Sequence, residues 1–444
     1  MTRRQAVMAN FEKYADYTED RISRGIEENR KGFAFINLRD ENGYPVENAE
    51  ITAVQQNHEF KYGANIFMID QMETPEKNET YKEYFKDTFN MATLGFYWSD
   101  LEPERGKPRY EKGSPFIYRR PPIDDCIEFC EKYGIEPREH ALAYDHFFPQ
   151  WLKGKDNATV KAEFERRCRE ISERYADKIP TIEVTNEMYW GRADSVTDLY
   201  MTDEFIPFCF NTAEKYFPKN QLVINDFCGV AWCEDSPTVP SRGRYPLMIK
   251  DLLHQGVRID SVGLQYHMFF RRDDEAEFTR WYYDPTYLYK VMDMYKDMGM
   301  NIQVTEVTVP AYSNDPEDEE LQADIIEKLY SIWFSHPNME QIIYWNLVDG
   351  YAAFAPLGDM TAGENYYYGG LVRHDLTPKP ALKRIQHLFK EKWITNTSFS
   401  VKDGFGSFKG FYGKYKLNIK VGDKEYEREI DLSKKSSAQF DITL

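Results

Sequence analysis

Residues 179–189 read IPTIEVTNEMY. The run Ile182-Glu183-Val184-Thr185 has the β-branched composition of a short buried strand. It stops at Asn186-Glu187, an amide and a carboxylate side by side where a strand opens into a loop. The same form recurs at Ile302-Gln303-Val304-Thr305-Glu306. Two glutamates at the ends of two separate strands supply one carboxyl to protonate a leaving oxygen and one to attack the carbon it leaves. A single strand-end acid is ordinarily solvated surface, so the pair gains meaning only from the architecture around it.

That architecture is a regular alternation. Strand-like runs occur at 59–67, 91–98, 137–144, 181–187, 221–227, 260–267, 302–310 and 341–349. Amphipathic helical patterns follow them, clearest at 159–177, 204–216, 285–298, 319–335 and 380–393. Strand–helix units in such a series predict an α/β fold, a (β/α)8 TIM barrel over residues 58–394. Residues 1–32 are charged and amphipathic and predict a helical lead-in. Residues 33–57 predict two alternating strands around the turn Glu41-Asn42-Gly43-Tyr44-Pro45. The tail 395–444 reverts to short strands and glycine turns. We expect it to combine with the strands of the segment 1–57 in a small accessory β-module, with Phe35 and Ile51 among its covered apolar residues.

In such a barrel, chemistry sits at the C-terminal ends of the strands. Those ends carry Tyr97-Trp98, Tyr144-Asp145-His146, Asn186-Glu187, Asn225-Asp226, Gln265 with His267, Glu306, and Trp345 with Asp349. Polar and aromatic residues thus collect at one rim, with the two glutamates nearly opposite in strand order. The combination suits retaining glycoside hydrolysis, in which the two carboxyl groups stand roughly 5–5.5 Å apart. On this reading Glu187 is the acid and needs a raised pKa. Glu306 stays ionised and His267 can hold it by donating. Asn186 can hydrogen-bond a sugar 2-OH.

Composition narrows the classes further. A formal charge of −18 argues against nucleic acid and anionic membranes as partners. The 32 Tyr, 29 Phe and 8 Trp offer rings on which the apolar faces of sugars pack, so the expected partner is an oligosaccharide or polysaccharide. The six cysteines have neither CxxC nor Cys/His ligand spacing, and four of them (Cys126, Cys130, Cys168 and Cys209) fall on apolar helix faces. Neither a metal nor an organic cofactor is expected. No apolar leader or membrane-length run is visible, which predicts a cytoplasmic chain, although a secreted chain trimmed of its leader reads the same way.

Over roughly residues 59–390 the chain resembles glycoside hydrolase family 10, the retaining endo-β-1,4-xylanases. Arg138-Glu139-His140-Ala141-Leu142, running on to Pro149-Gln150-Trp151, is similar to the third-strand motif. Val184-Thr185-Asn186-Glu187 resembles the acid/base motif, and Val304-Thr305-Glu306 the nucleophile strand. Asn225-Asp226 resembles the fifth strand, where the resemblance implies that Asp226 supports the acid/base. Gly263-Leu264-Gln265-Tyr266-His267 resembles the sixth, which implies Gln265 and His267 near the nucleophile. Trp345 to Asp349 resembles the eighth, implying that Trp345 floors the reactive sugar, and Leu371 to Ala381 the closing segment.

The departures lie on the glycone side. The family's Glu-Asn-x-x-Lys-Trp is here Thr93-Leu94-Gly95-Phe96-Tyr97-Trp98, and its Trp-His is Tyr144-Asp145. Ala353, beside Phe354, stands where a second tryptophan is expected. These changes predict poor action on long unsubstituted xylan and better action on short or decorated oligosaccharides, or on a glycone other than xylose. Tyr97, His140, Tyr144 and Asp145 join the candidate substrate contacts, and Asp145 can pair with two adjacent sugar hydroxyls. Two other classes compete. One is a metal-dependent barrel hydrolase or isomerase using Glu187, Asp226, His267 and Glu306 as ligands. The other is a carbohydrate-binding protein without catalysis.

Overall fold

The computed structural model describes residues 2–189 and 195–444. It forms two compact units. The first contains 2–14, 62–189, 195–326 and 338–382, and the second 15–61, 327–337 and 383–444.

The chain enters through two helices, Arg3–Lys13 and Ala15–Asn29. It then forms strands β1 (Lys31–Arg39) and β2 (Asn48–His58). Eight strands follow: β3 (Lys61–Asn65), β4 (Met91–Gly95), β5 (Glu136–His140), β6 (Thr181–Asn186), β7 (Gln221–Asp226), β8 (Ser261–His267), β9 (Asn301–Thr308) and β10 (Met339–Tyr344). These close into a parallel barrel in the order β10-β3-β4-β5-β6-β7-β8-β9. The (β/α)8 expectation is therefore met. All six residues of β6 are buried, as a strand covered on both faces requires.

All of these strands except β8 end earlier than the sequence pattern suggests. β5 stops at His140, yet Leu142 and Ala143 still donate to Glu183 O (2.9 Å) and Val184 O (3.0 Å), so the chain runs on beside β6. Helices stand at Asn157–Tyr175, Phe205–Tyr216, Pro285–Asp297 and Pro316–Ser335, within a few residues of their expected limits. None of the described helices is long and apolar enough to cross a membrane.

Helix Arg3–Lys13 belongs to the barrel unit rather than to an accessory module. Its Arg3 guanidinium reaches Glu275 (2.6 Å), Asp318 (2.8 Å) and the carbonyl of Pro310 (3.2 Å). The second unit is built on a seven-stranded sheet completed by β11 (Asn396–Lys402), β12 (Phe405–Phe411), β13 (Gly413–Val421), β14 (Lys424–Leu432) and β15 (Gln439–Thr443). Its order is β14-β13-β2-β11-β12-β1-β15. The turn at 41–45 therefore does not make a hairpin of its flanking strands, since β11 and β12 lie between β1 and β2. Arg428 of β14 donates to Thr443 O of β15 at 2.8 Å, which brings the two edge strands together. Residues 327–337 join this unit through Arg30, which donates to His336 O at 2.6 Å, and through Phe334 stacked on Trp393 at 4.3 Å.

The sheet core consists of Ala34, Ile36 and Leu38 with Ile51, Leu417, Ile419, Leu432 and others. Phe35 lies on the opposite face from Ile36, stacked with Phe33 (6.0 Å) and Phe405 (6.2 Å). Ile51 is buried as expected; Phe35 is not one of the core residues, because side chains alternate across a strand. Removing residues 395–444 takes away both neighbours of β2 and uncovers Ile36, Leu38 and Ile51. Each such side chain contributes about 1.5–3 kcal/mol when buried. The truncated chain is expected to aggregate or to melt well below the full chain in calorimetry, and a soluble truncation with an unchanged transition would contradict this packing.

Candidate active site

β6 carries a register shift against β7 between Glu183 and Thr185. Such a bulge lets side chains three apart enter the same space, and both Glu183 and Asn186 meet the Asn225 amide from β7. Asn225 Nδ2 stands 3.2 Å from Glu183 Oε1, 2.9 Å from Asn186 Oδ1 and 3.0 Å from Glu306 Oε1. Its oxygen accepts from the Thr305 hydroxyl at 2.7 Å, which fixes the amide's orientation.

Glu187 follows the last residue of β6 with φ of 54°, a left-handed conformation that costs a non-glycine residue about 1–3 kcal/mol. Its N–H donates to Asn225 O at 3.1 Å. Its two carboxyl oxygens accept from Tyr144 Oη (2.8 Å) and Gln265 Nε2 (3.0 Å). Burial and the Glu187 charge push the Tyr144 phenol well above its ordinary range, so it remains a donor. Gln265 also donates to Asn186 Oδ1 (3.2 Å), which leaves the Asn186 NH2 as the donor end of that side chain.

Glu306 is almost wholly buried at the barrel centre. Burial raises its pKa to about 8; the neighbouring carboxylates Glu183 and Glu187 add to this, while His140 and Arg138 oppose it. His267 Nε2 lies 3.1 Å from Glu306 Oε2, and His267 Nδ1 lies 2.9 Å from the Thr308 hydroxyl. Burial lowers His267 to about 4, so the ring is neutral near pH 7. A Thr308 hydroxyl donating to Nδ1 leaves the proton on Nε2, aimed at Glu306. The sequence argument expected Glu306 to stay ionised, whereas burial pushes its carboxyl upward.

Behind the pair lies Glu183, fully buried and held below its ordinary range against its own desolvation by His140 and Arg138. His140 Nδ1 is 2.7 Å from Glu183 Oε1, and its Nε2 is 2.9 Å from Tyr97 Oη. Arg138 forms a close ion pair with the other oxygen of Glu183. Trp345 packs edge-on to His140 (5.3 Å), His267 (5.8 Å) and Phe67 (5.4 Å), giving the site an aromatic wall.

Nine of the sequence candidates thus converge: Tyr97, His140, Tyr144, Asn186, Glu187, Gln265, His267, Glu306 and Trp345. Two are placed differently. Asp226 spends its oxygens on the backbone N–H groups of Phe227 (2.9 Å) and Tyr189 (3.1 Å), so it braces the chain after Glu187 instead of contacting the carboxyl. Asp145 is buried and accepts from Ser195 Oγ at 3.1 Å, within the segment downstream of Glu187. Of the other rim residues, Trp98 points into the protein and donates to Glu102, and Asp349 pairs with Lys379 at 2.5 Å. Sequence reasoning gave no role to Glu183 or Arg138, and it placed Asn225 at the rim without its anchoring contacts. The only trace of the first was a carboxylate inside a β-branched run.

The four ligands of the metal alternative do not form a set, since Asp226 is turned to backbone groups. Among the described residues the donor atoms that gather within 4.8 Å belong to His140, Glu183 and Glu306. There both ring nitrogens of His140 are engaged and Arg138 already neutralises Glu183.

A (β/α)8 barrel with two carboxylates joined through shared amides at its rim defines a glycoside hydrolase scaffold. Residues 54–388 match Glycosyl hydrolase family 10, and the chain belongs to that family. It is 26% identical over 428 residues to anti-sigma-I factor RsgI6 of Acetivibrio thermocellus, covering 94% of this chain and 49% of that protein. To endo-1,4-beta-xylanase 2 of Arabidopsis thaliana it is 24% identical over 372 residues, covering 81% of this chain and 30% of the plant protein. The chain therefore spans about half or less of the length of these relatives. Xylanase 10B from Thermotoga petrophila RKU-1, in complex with xylobiose, superposes with a TM-score of 0.59 at 20% identity over 75% of this chain and 95% of that one. Native xylanase 10B from Thermotoga maritima gives 0.58 at 20% identity, covering 75% and 96%.

The Glu306 shift carries a sign for stability. Between the ordinary carboxyl pKa of 4.5 and about 8 the folded chain binds more protons at Glu306 than the unfolded chain does. Stability from this group is therefore present at low pH and is lost as pH rises through that window. Denaturant titrations of the native and Glu306→Gln chains should show this slope in the former and a flatter one in the latter. Parallel curves would mean that burial does not raise Glu306.

Proposed function

We propose that the chain is a retaining β-glycosidase acting on xylan-type or related β-linked plant saccharides, with Glu187 as acid/base and Glu306 as nucleophile. The observation that carries this reading is the linkage of the two carboxylates through Gln265, Asn186 and Asn225, which holds each in a fixed direction. Glu306 attacks the anomeric carbon while the Glu187 proton passes to the glycosidic oxygen, and the leaving saccharide departs. Glu187, now a carboxylate, takes a proton from water as that water attacks the anomeric carbon from the face the leaving saccharide vacated, opposite Glu306, which departs as a carboxylate. The Asn186 NH2 is available to the 2-OH as positive charge develops on the sugar. Nearby, Asn225 and neutral His267 stabilise the ionised form of Glu306 by hydrogen bonding.

Early-time proton NMR of the hydrolysate should show the β-anomer first, and an α-anomer appearing first would overturn the assignment. Glu306→Ala is expected to abolish turnover on every substrate. Glu187→Ala should spare glycosylation of aryl glycosides whose leaving groups need little protonation, and azide should then restore turnover with a β-glycosyl azide as product. Equal losses on activated and unactivated substrates would remove Glu187 from the acid role.

A second reading is favoured by the resemblance to a protein named an anti-sigma-I factor over 94% of this chain. In that case the domain binds saccharide within a regulatory protein. Tight oligosaccharide binding without turnover by the native chain would select it over hydrolysis.

A further inference from the structure

Between β4 and the helix Ile123–Tyr133 the chain makes a long excursion that ends in Tyr118-Arg119-Arg120. Both arginines lie against the aromatic wall of the site. The Arg120 guanidinium sits 3.9 Å from the Tyr97 ring centroid, 5.3 Å from Phe147 and 5.4 Å from Phe67. That of Arg119 is 5.4 Å from Phe67. These rings continue to Trp345 and, through Tyr97 Oη, to His140. The guanidiniums therefore flank the side of the site where the family's glycone-contacting residues have been replaced.

Their charge is unevenly balanced. Arg120 is paired with Asp100 through Nε at 2.6 Å and donates from Nη1 to Arg119 O at 2.9 Å. Its Nη2 has no acceptor among the described residues. Arg119 is only 5% exposed and has φ of 61°. Its Nη1 donates to Asn346 Oδ1 at 3.1 Å and to Tyr351 O. Among the described residues its Nε and Nη2 find no acceptor and no carboxylate lies at ion-pair distance. The nearest counter-charge acts through Asn346, which donates in turn to Glu364 at 3.1 Å. A nearly buried guanidinium without a partner anion is costly, and burial accordingly lowers the pKa of Arg119. The protein's net charge of −18 repels anions at long range, so an anionic ligand would need local cations of this kind.

We propose that Arg119 and Arg120 form a subsite for the carboxylate of an acidic sugar, so that the substrate carries a uronic acid at or next to the glycone. This rests on the saccharide-binding reading of the site. A planar guanidinium matches a carboxylate in shape and donors, and the stack on Tyr97 holds that of Arg120 in a fixed plane. The carboxylate takes over from the missing amide and ammonium contacts of the neutral-sugar pattern. A uronate as side substituent and a uronate as backbone residue present the same chemistry.

Binding separates the proposal from turnover. Calorimetry on the Glu306→Gln chain would compare a glucuronic acid-substituted xylo-oligosaccharide with its methyl ester, which keeps the sugar and removes the charge. A linear oligouronide and its ester form the second arm. The acid is expected to bind about tenfold tighter than the ester in one arm, the arm identifying the source, with the preference shrinking at high salt. Adding Arg120→Gln should erase most of the preference while neutral xylo-oligosaccharide binding is retained, and Arg120→Lys should restore part of it. Arg119→Gln tests the second cation, with thermal melting to confirm that it folds. Equal binding of acid and ester in both arms overturns the subsite, as does a preference unchanged in folded Arg119→Gln and Arg120→Gln chains. Absence of hydrolysis by the native chain, with the binding preference intact, would count against the glycosidase reading alone.

Discussion

The site depends on a carboxylate that has no access to water. Glu183 sits at the barrel centre with both oxygens spoken for, one by Arg138 and one by His140 and Asn225. Leaving such a group unpaired would cost several kcal/mol, so Arg138 and His140 are constrained to stay where they are. His140 in turn fixes the Tyr97 hydroxyl, and with it one end of the aromatic wall. Asn225 offers two amide hydrogens to three acceptors on three residues, which ties Glu183, Asn186 and Glu306 to one point. The ordering runs outward from a charge that never touches substrate.

This explains what was legible in the sequence. The barrel was readable because each strand–helix unit prints its own period, and those periods need no knowledge of distant contacts. Glu187 and Glu306 were readable because each stands at the end of a β-branched run. Glu183 was not, because its inward direction depends on a register shift that the alternation of Ile182, Glu183 and Val184 does not announce. The same limit applies to the second sheet. The tail could be read as strands, but the insertion of β11 and β12 between β1 and β2 depends on pairing across more than three hundred residues. Phe35 misled for a related reason, since a large ring on an exposed face is stabilised by its neighbours Phe33 and Phe405 without entering the core.

Asp145 and the arginine pair are hard to read from sequence because they lie in loops. Asp145 lies in a single turn, Asp145–Phe147, whose direction follows from the downstream segment carrying Ser195. Arg119 and Arg120 lie where there is no period to read, and two adjacent arginines in an acidic chain look like ordinary solvated surface. Only their placement against Phe67 and Tyr97 distinguishes them.

The replacement of the strand-2 contacts follows a physical logic of its own. An ammonium or a carboxylate at the end of β4 would add a further charge beside Glu306, whose pKa already responds to every neighbouring ion. Tyr97 adds none, because burial pushes its phenol far above the ordinary range and keeps it neutral. The positive charge on this wall is that of Arg120, and the Tyr97 ring stands between it and the His140–Glu183 network. A cation can then bear on what a sugar presents at the edge of the site while the hydrogen bonds around Glu306 remain those of Asn225 and His267. On the proposed reading, chemistry at the anomeric carbon and recognition at the glycone fall to separate charges.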